Sequence, residues 1–540
     1  MKINKIVIVG GGTAGWVTAH QFLNKTPKTV GSKELSTKIT VVASEEIPII
    51  GVGESTTGLF NDIINDPDNV TNTSDDEFLR ETGSTYKIGI KHSDWHTVGE
   101  SFYSPLGDDY YEQDWLSNPH IEYDNYRIYY VANEMPYDDN FQGRLMKEGK
   151  LHEVIPTMPA HAYHLDTYKT GQYLKQKAIA HEACDYVNGE VVSFKQDENG
   201  YVKSITTKTG QVIEGDLFVD CTGFSRVLID KVEKNNFISY KDNLLVNSAL
   251  TFNFDSNSNL SHVSQGKNYT HAWAQKYGWL WQIPTQDRVG CGYVFDDNYI
   301  NFDQAQEEIE KTLGCKIEPQ KQIKFDTGRL EKFWIKNVIS TGLSSAFIEP
   351  LEATSIHCTI LQIKHFLEHY FKKDMPFECT PLIDQYNSEI TGMWDNIRDF
   401  IVYHYISPRN DTDFWIESSD PKRRSDKLKR LIELWKHRMP RNVDYWHGNH
   451  DFYRLNNALW YQISIGMKLL DPKLAKQELK DFELYTKTKG MHAWLQKEMD
   501  NAMKGAYDSR FKWSPQSNSI IKDVPVSIWK RTKEALTKKK

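Results

Sequence analysis

No stretch of the 540 residues approaches the ~20 consecutive apolar positions that a bilayer span requires. The apolar start, Ile6 to Val9, gives way to glycine after four residues and is too short for a secretory leader. Cysteine is scarce: Cys184, Cys221, Cys291, Cys315, Cys358 and Cys379 form no C-x-x-C and no zinc-like pairing. A disulfide framework is therefore not expected, and reduced thiols in a cytoplasmic compartment are the simplest reading. Sequons such as Asn268-Tyr269-Thr270 are then chance matches. Basic charge is also short, with 65 Lys and Arg against 73 Asp and Glu, for a net charge of −8. That balance argues against nucleic acid as a partner, which calls for clustered cations. The run of lysines from Lys530 to Lys540 reads as a solvated tail. No low-complexity linker and no internal repeat divide the chain.

What is present is a sizeable core, with 39% hydrophobic and 12% aromatic residues, including 15 Trp and 28 Tyr. Such aromatics suit both packing and a pocket for flat ligands. Ile6-Val7-Ile8-Val9 reads as a buried parallel strand. It breaks into Gly10-Gly11-Gly12-Thr13-Ala14-Gly15, after which Trp16, Ala19, Phe22 and Leu23 fall at helical spacing. Gly10, Gly12 and Gly15 thus fit G-x-G-x-x-G between strand and helix, the context in which it binds a dinucleotide pyrophosphate. Thr13 and Ala14 lie within the same turn, and the helix N-terminus offers N–H groups and partial positive charge to phosphate. NAD and FAD both remain open at this point.

Lys38 to Ala43 is a second strand. An acidic residue usually ends it to hold ribose, yet here Ala43 and Ser44 stand there, with Glu45 and Glu46 beyond. Gly51-Val52-Gly53-Glu54-Ser55-Thr56-Thr57 suggests a backbone strap along a cofactor. Residues 107–140, rich in Asp, Asn and Tyr, look irregular. A second dinucleotide-fold pass follows: a helix over 168–180, a strand at Val191, a hairpin at Asn199-Gly200 and a strand over 216–223. Further strands occupy roughly 246–295. Val338-Ile339-Ser340-Thr341-Gly342 repeats the strand-into-glycine pattern, and Gly342 joins the candidate cofactor residues. From about Ile356 the pattern is mainly helical. The fold expected is mixed α/β, a Rossmann-like FAD/NAD(P)-binding module over 1–360 interleaved with substrate-site strands, and a mainly helical cap over 361–540.

Three stretches bear on chemistry: Lys87 within Thr85-Tyr86-Lys87-Ile88-Gly89-Ile90, Trp279-x-Trp281-x-Ile283-Pro284, and Pro350-Leu351-Glu352. Taken singly, each has an ordinary role as a solvated lysine, a core strand or a helix-start carboxylate. Together, after a G-x-G-x-x-G-W opening, the sequence resembles the flavin-dependent halogenases of the tryptophan halogenase family. The Gly51-Val52-Gly53-Glu54 strap matches its pattern, as does Asp399-Phe400-Ile401-Val402-Tyr403-His404-Tyr405 with Arg409, Asp411 and Phe414-Trp415. The resemblance covers roughly residues 1–470. With Ala43 at the ribose position and Trp16 after the glycines, it favours FAD over NAD.

The resemblance implies that reduced FAD, dioxygen and a halide ion, held by backbone near Thr354 and Ser355, yield hypohalous acid. Trp279 and Trp281 then shield the flavin from organic substrate. The oxidant passes to Lys87, which fixes the electrophile, while Glu352 holds it from the other side or deprotonates the ring intermediate. A separate NAD(P)H-dependent flavin reductase is implied, because no second nucleotide fingerprint is present. Two departures stand out. Ala353 and Ser355 replace Ser and Gly of the tryptophan-directed members' Glu-Ser-Thr-Gly, and Ser104-Pro105 stands where many members have histidine before proline. With no amino-acid clamp evident in 440–460, an indole- or phenol-type aromatic is expected rather than free tryptophan. A flavin monooxygenase of the same fold, acting directly on substrate, is the alternative, and a flavin-binding protein without turnover a third. Halide preference, regiochemistry and oligomeric state, including a homo-oligomer, stay open. No metal site is expected. His365-Phe366-Leu367-Glu368-His369 matches an inverted zinc-protease pattern without a third ligand, and His92 with His96 lacks carboxylate support.

Overall fold

Strand Lys5–Val9 lies inside a six-stranded sheet whose order is Trp334–Ile335, Val338–Ser340, Leu217–Asp220, Lys5–Val9, Lys38–Ala43 and Cys184–Asn188. All neighbours run parallel except the Trp334–Ile335 edge. Ile6 to Val9 are buried, as the inner strand of a parallel sheet covered on both faces requires. This computed structural model describes residues 1–25, 37–47, 51, 54–66, 69–106, 123–137, 140–152, 161–255, 260, 262–264, 266–445 and 457–508.

The glycine turn explains how strand and helix meet. Gly10 has φ +116°, and a Cβ there would stand 2.2 Å from the Cys221 carbonyl oxygen. A Cβ on Gly15 would stand 2.0 Å from the Gly10 carbonyl oxygen. A Cβ on Gly12 would meet nothing within 4 Å, so that backbone faces open space. The helix that follows, Thr13–Lys25, buries Trp16, Ala19, Phe22 and Leu23, the positions expected from its spacing.

A second, seven-stranded sheet is ordered Lys321–Lys324, Ser248–Asp255, Arg288–Phe295, Gly278–Pro284, Tyr269–Ala274, Gly89–Ser93 and Ser101–Pro105. The tryptophan motif is its fourth and central strand, buried along its whole length. A small third sheet, Glu54–Ser55, Ala162–Leu165 and Thr85–Lys87, ties the strap to the lysine strand through antiparallel pairing on both sides of Ala162–Leu165. The hairpin at Asn199-Gly200 forms as expected, with Gly200 at φ +81° between Val191–Gln196 and Val202–Thr207.

One expectation needs correction. Within the stretch read as irregular, Tyr123–Ala132 is a helix, while residues 107–122 lie outside the described residues. Its tyrosines are weak helix formers, so local propensity understates it. Tertiary packing supplies the difference: the Tyr129 ring lies against Tyr485 and His492, and the Tyr485 hydroxyl donates to Asn133 Oδ1 at 2.8 Å. The chain after Thr354 is mainly helical, beginning with Thr354–His365. The division expected between residues 360 and 361 falls inside that helix, whose Ile360 carbonyl accepts from Gln21 Nε2 on the glycine-turn helix at 2.9 Å. Among the described residues no helix is long and apolar enough to cross a membrane, and all six cysteines are free thiols.

Close approach at Gly15 makes a stability prediction. Gly15→Ala is expected to lower the free energy of unfolding by about 1–3 kcal/mol, because backbone must shift to admit the methyl group. Denaturant unfolding of the two proteins measures the difference.

Candidate active site

The strap joins two centres because its residues alternate sides. Glu54 turns toward the glycine turn, where the Thr13 hydroxyl lies beside its carboxyl. Burial pushes the Glu54 carboxyl up to about 7, against the opposing pull of Thr13. Glu54 Oε2 and Thr13 Oγ1 are both buried and, among the described residues, without a hydrogen-bond partner of good geometry. Ser55, the next residue, faces the other way and accepts from Lys87 Nζ at 3.2 Å. The Thr56 carbonyl accepts from the same ammonium at 3.1 Å.

Lys87 is 0% exposed and comes from the Thr85–Lys87 strand, paired Lys87↔Ala162. Removal from water lowers its pKa to about 8, although Glu352 pulls the other way. Its charge in turn is felt by His92, His164 and His357. Glu352 closes the short helical turn Pro350–Glu352, followed by Ala353 in the left-handed region at φ +56°. Glu352 Oε1 contacts His404 Nε2 at 2.9 Å and lies 3.8 Å from His92 Nε2. Thr354 and Ser355 open the helix Thr354–His365, and no side chain caps it. Its first-turn N–H groups have no carbonyl partner within the helix. His357 from that turn meets the Thr57 hydroxyl of the strap at 2.7 Å.

Trp279 and Trp281 are buried with ring centroids 6.2 Å apart. The Trp281 ring covers Gly292, its cross-strand neighbour, where a Cβ would stand 2.1 Å from the indole. Trp279 is anchored by Glu349: Trp279 Nε1 donates to Glu349 Oε2 at 3.5 Å, and the Tyr405 hydroxyl donates to the same oxygen at 2.7 Å. Burial is the main cause that pushes the Glu349 carboxyl up to about 8. At neutral pH it is thus held mostly protonated.

The geometry gathers Lys87, Glu352, Thr354, Ser355, Trp279 and Trp281 around one interior region, and Gly10, Gly12, Thr13, Ala14, Gly15 and Glu54 around another. Gly51 lies against Thr167, with a Cβ placed 2.9 Å from the threonine Cβ. Gly342, at φ +65°, faces Ala14, with a Cβ placed 2.7 Å from the Ala14 methyl. Ser44 Oγ is already engaged, accepting from the Glu46 amide at 3.2 Å. Glu45 pairs with Lys175 at 2.8 Å. Val52 and Gly53 lie outside the described residues. Ser55, His404, Tyr405 and the anchoring role of Glu349 were not assigned from sequence. His404 stands 52 positions beyond Glu352, and no spacing rule connects them.

These residues fit FAD. Gly12 leaves room at a helix N-terminus for pyrophosphate, and the unpartnered oxygens of Thr13 and Glu54 face that turn. Residues 5–481 match the tryptophan halogenase family model. The chain belongs to the tryptophan halogenase family. Tryptophan 7-halogenase RebH of Lentzea aerocolonigenes is 32% identical over 517 residues, covering 88% of this chain and 92% of that protein. Tryptophan 6-halogenase ThaL of Streptomyces albogriseolus is 31% identical over 501 residues, covering 87% and 90%. A flavin-dependent halogenase from Xanthomonas campestris superposes with a TM-score of 0.79 at 25% identity, covering 94% of this chain and 97% of that one. BrvH, a flavin-dependent halogenase from Brevundimonas sp. BAL3, gives 0.74 at 27%, covering 94% and 98%. As a member of the tryptophan halogenase family the chain is an enzyme, a flavin-dependent halogenase that uses FAD and halide.

The protonated anchor has a pH signature. The folded Glu349 carboxyl keeps its proton up to about 8, whereas the unfolded one releases it near 4.5. Its ionisation therefore costs stability as pH rises through that window. Relative to Glu349→Gln, the wild type should lose on the order of 3 kcal/mol between about pH 5 and about pH 9, read from denaturant midpoints.

Proposed function

We propose that this halogenase delivers hypohalous acid to Lys87 and halogenates an electron-rich aromatic ring of the indole or phenol class. One observation carries this reading. A fully buried lysine is held by Ser55 and Thr56, on the strap whose preceding residue faces the glycine turn. Bound FADH2, with dioxygen, supplies the oxidising equivalent for halide, and a separate NAD(P)H-dependent flavin reductase supplies the reduced flavin. Gly10, Gly12, Thr13, Ala14 and Gly15 hold its pyrophosphate end, with Gly51, Glu54 and Gly342 alongside. The uncapped helix start at Thr354 and Ser355 offers N–H donors to halide, a weakly hydrated anion suited to donors without a counter-charge.

Trp279 and Trp281 wall the flavin side from the substrate side, and Glu349 keeps Trp279 in place. Lys87, with its affinity for protons lowered by burial, donates to the oxidant or carries the halogen as a haloamine. Glu352 stands opposite as base for the cationic ring intermediate. Ser104 in place of histidine supports an aromatic smaller and less clamped than free tryptophan; its hydroxyl is buried and, among the described residues, without a partner.

The test supplies FADH2, oxygen, and bromide or iodide to the enzyme with an indole and phenol panel, reading mass shifts. Halogenated product from a simple aromatic is expected. Product from free tryptophan alone overturns the substrate assignment, and oxygenated product without halide favours a monooxygenase. In Lys87→Ala, halogenation is expected to fall at least about a hundredfold while FAD binding and peroxide release persist. Retained halogenation removes the lysine from the reaction.

Burial of the lysine also predicts a gain. An ordinary lysine titrates near 10.5, so below about pH 8 the folded ammonium is destabilising, and this cost fades as pH rises from 8 to 10.5. Lys87→Met is expected to stabilise the fold by on the order of 2 kcal/mol at neutral pH, with the advantage shrinking above pH 8. Thermal unfolding of both proteins across that range measures it.

A further inference from the structure

His365 keeps its helical neighbour His369, with ring centroids 4.8 Å apart, but His92 is grouped with partners far along the chain rather than with His96. His96 Nδ1 meets the Thr97 hydroxyl at 2.8 Å, and His365 meets Glu389 at 2.7 Å. His92 instead lies with Glu352 and His404, three ligand atoms all within 4.8 Å of one another. Two of the separations are 2.9 Å and 3.8 Å. These bracket the roughly 3.4 Å spacing of ligands around a tetrahedral ion with bonds of ~2.1 Å.

Two features point to a cation among them. His92 is fully buried, and among the described residues neither of its ring nitrogens has a hydrogen-bond partner. Its ring is fixed by stacking on Phe102, with centroids 4.7 Å apart and planes 10° apart. His404 Nδ1 faces the Phe400 carbonyl at 2.8 Å, so that nitrogen carries the proton. Its Nε2 lone pair is then turned on Glu352 Oε1, a contact that needs a shared proton or a cation between the two. Orientation of one ring nitrogen by a backbone carbonyl is also how metal-binding histidines are commonly held.

We infer that His92, His404 and Glu352 form a binding site for a divalent transition-metal ion, of the Zn2+ class, which inhibits the enzyme by occupying Glu352. Two imidazoles and one carboxylate are a donor set that suits Zn2+ or Co2+ and not Mg2+ or Ca2+. A bound ion adds positive charge close to Lys87 and takes the carboxylate away from the ring. The binding half stands on geometry alone; the inhibition half rests on the role proposed for Glu352.

The full-length protein, stripped with EDTA, is titrated with Co2+ while its visible ligand-field bands are recorded, and Zn2+ is then added in competition. One equivalent of Co2+, displaced by Zn2+, is expected. Affinity should fall at least about tenfold in His92→Phe, which preserves the stack on Phe102, and in Glu352→Gln, but not in His365→Gln. Absence of bands, or equal binding by His92→Phe and Glu352→Gln, overturns the site. If His92→Phe loses its near-UV circular dichroism, Glu352→Gln decides alone. Zn2+ should suppress halogenation by the wild type and EDTA restore it; stoichiometric Zn2+ binding with undiminished halogenation overturns the inhibition. Binding through this triad by a protein that halogenates nothing leaves the site standing and counts against the proposed reaction.

Discussion

A positive charge out of contact with water is the constraint on which the rest of the site depends. Lys87 Nζ has two neutral partners, Ser55 Oγ and the Thr56 carbonyl, and among the described residues no carboxylate lies within salt-bridge distance. Such an ammonium is costly to bury, which is why its proton affinity drops. Ser55 belongs to a strand of only two residues, Glu54–Ser55, pinned by pairing with Leu165 and His164, and Thr56 follows it directly. Strand alternation then assigns opposite jobs to adjacent residues. Ser55 holds the lysine, and Glu54 stands over the glycine turn.

The same low-dielectric interior acts on the carboxyls. Glu54 and Glu349 are both buried and both pushed up into the neutral range. Glu352 is treated differently, with two imidazoles near its oxygens. Environment, more than residue type, separates a protonated anchor for Trp279 from a carboxylate able to face cationic chemistry.

The mainly helical later half of the chain is part of the site and not merely its cover. Helix Thr380–His404 ends at the residue that contacts Glu352, and Tyr405, its next neighbour, holds Glu349. Trp95 packs against Trp279, Tyr405 and Trp415, joining the seven-stranded sheet to that helix end by aromatic contacts. Perturbing the helix end therefore reaches both the Glu349 anchor of Trp279 and the Glu352 carboxylate.

Local chemistry decided much from the sequence. A β-branched run into Gly10, Gly12 and Gly15 specifies strand, tight turn and helix, because the required backbone approaches are short-range. Asn199-Gly200 likewise specified its hairpin. The tryptophan motif, Lys87 and Glu352 were legible through resemblance in their order along the chain, whereas their individual spacing carried no geometry. Tertiary structure alone decided the rest. The helix at Tyr123–Ala132 depends on partners more than 350 residues away, and His404 reaches Glu352 across 52 positions. His92 and His96 share a four-residue spacing without carboxylate support, yet the seven-stranded sheet, a short helical turn and a helix end place His92 with Glu352 and His404. Periodicity records which face of an element is buried; only packing determines which buried polar groups meet.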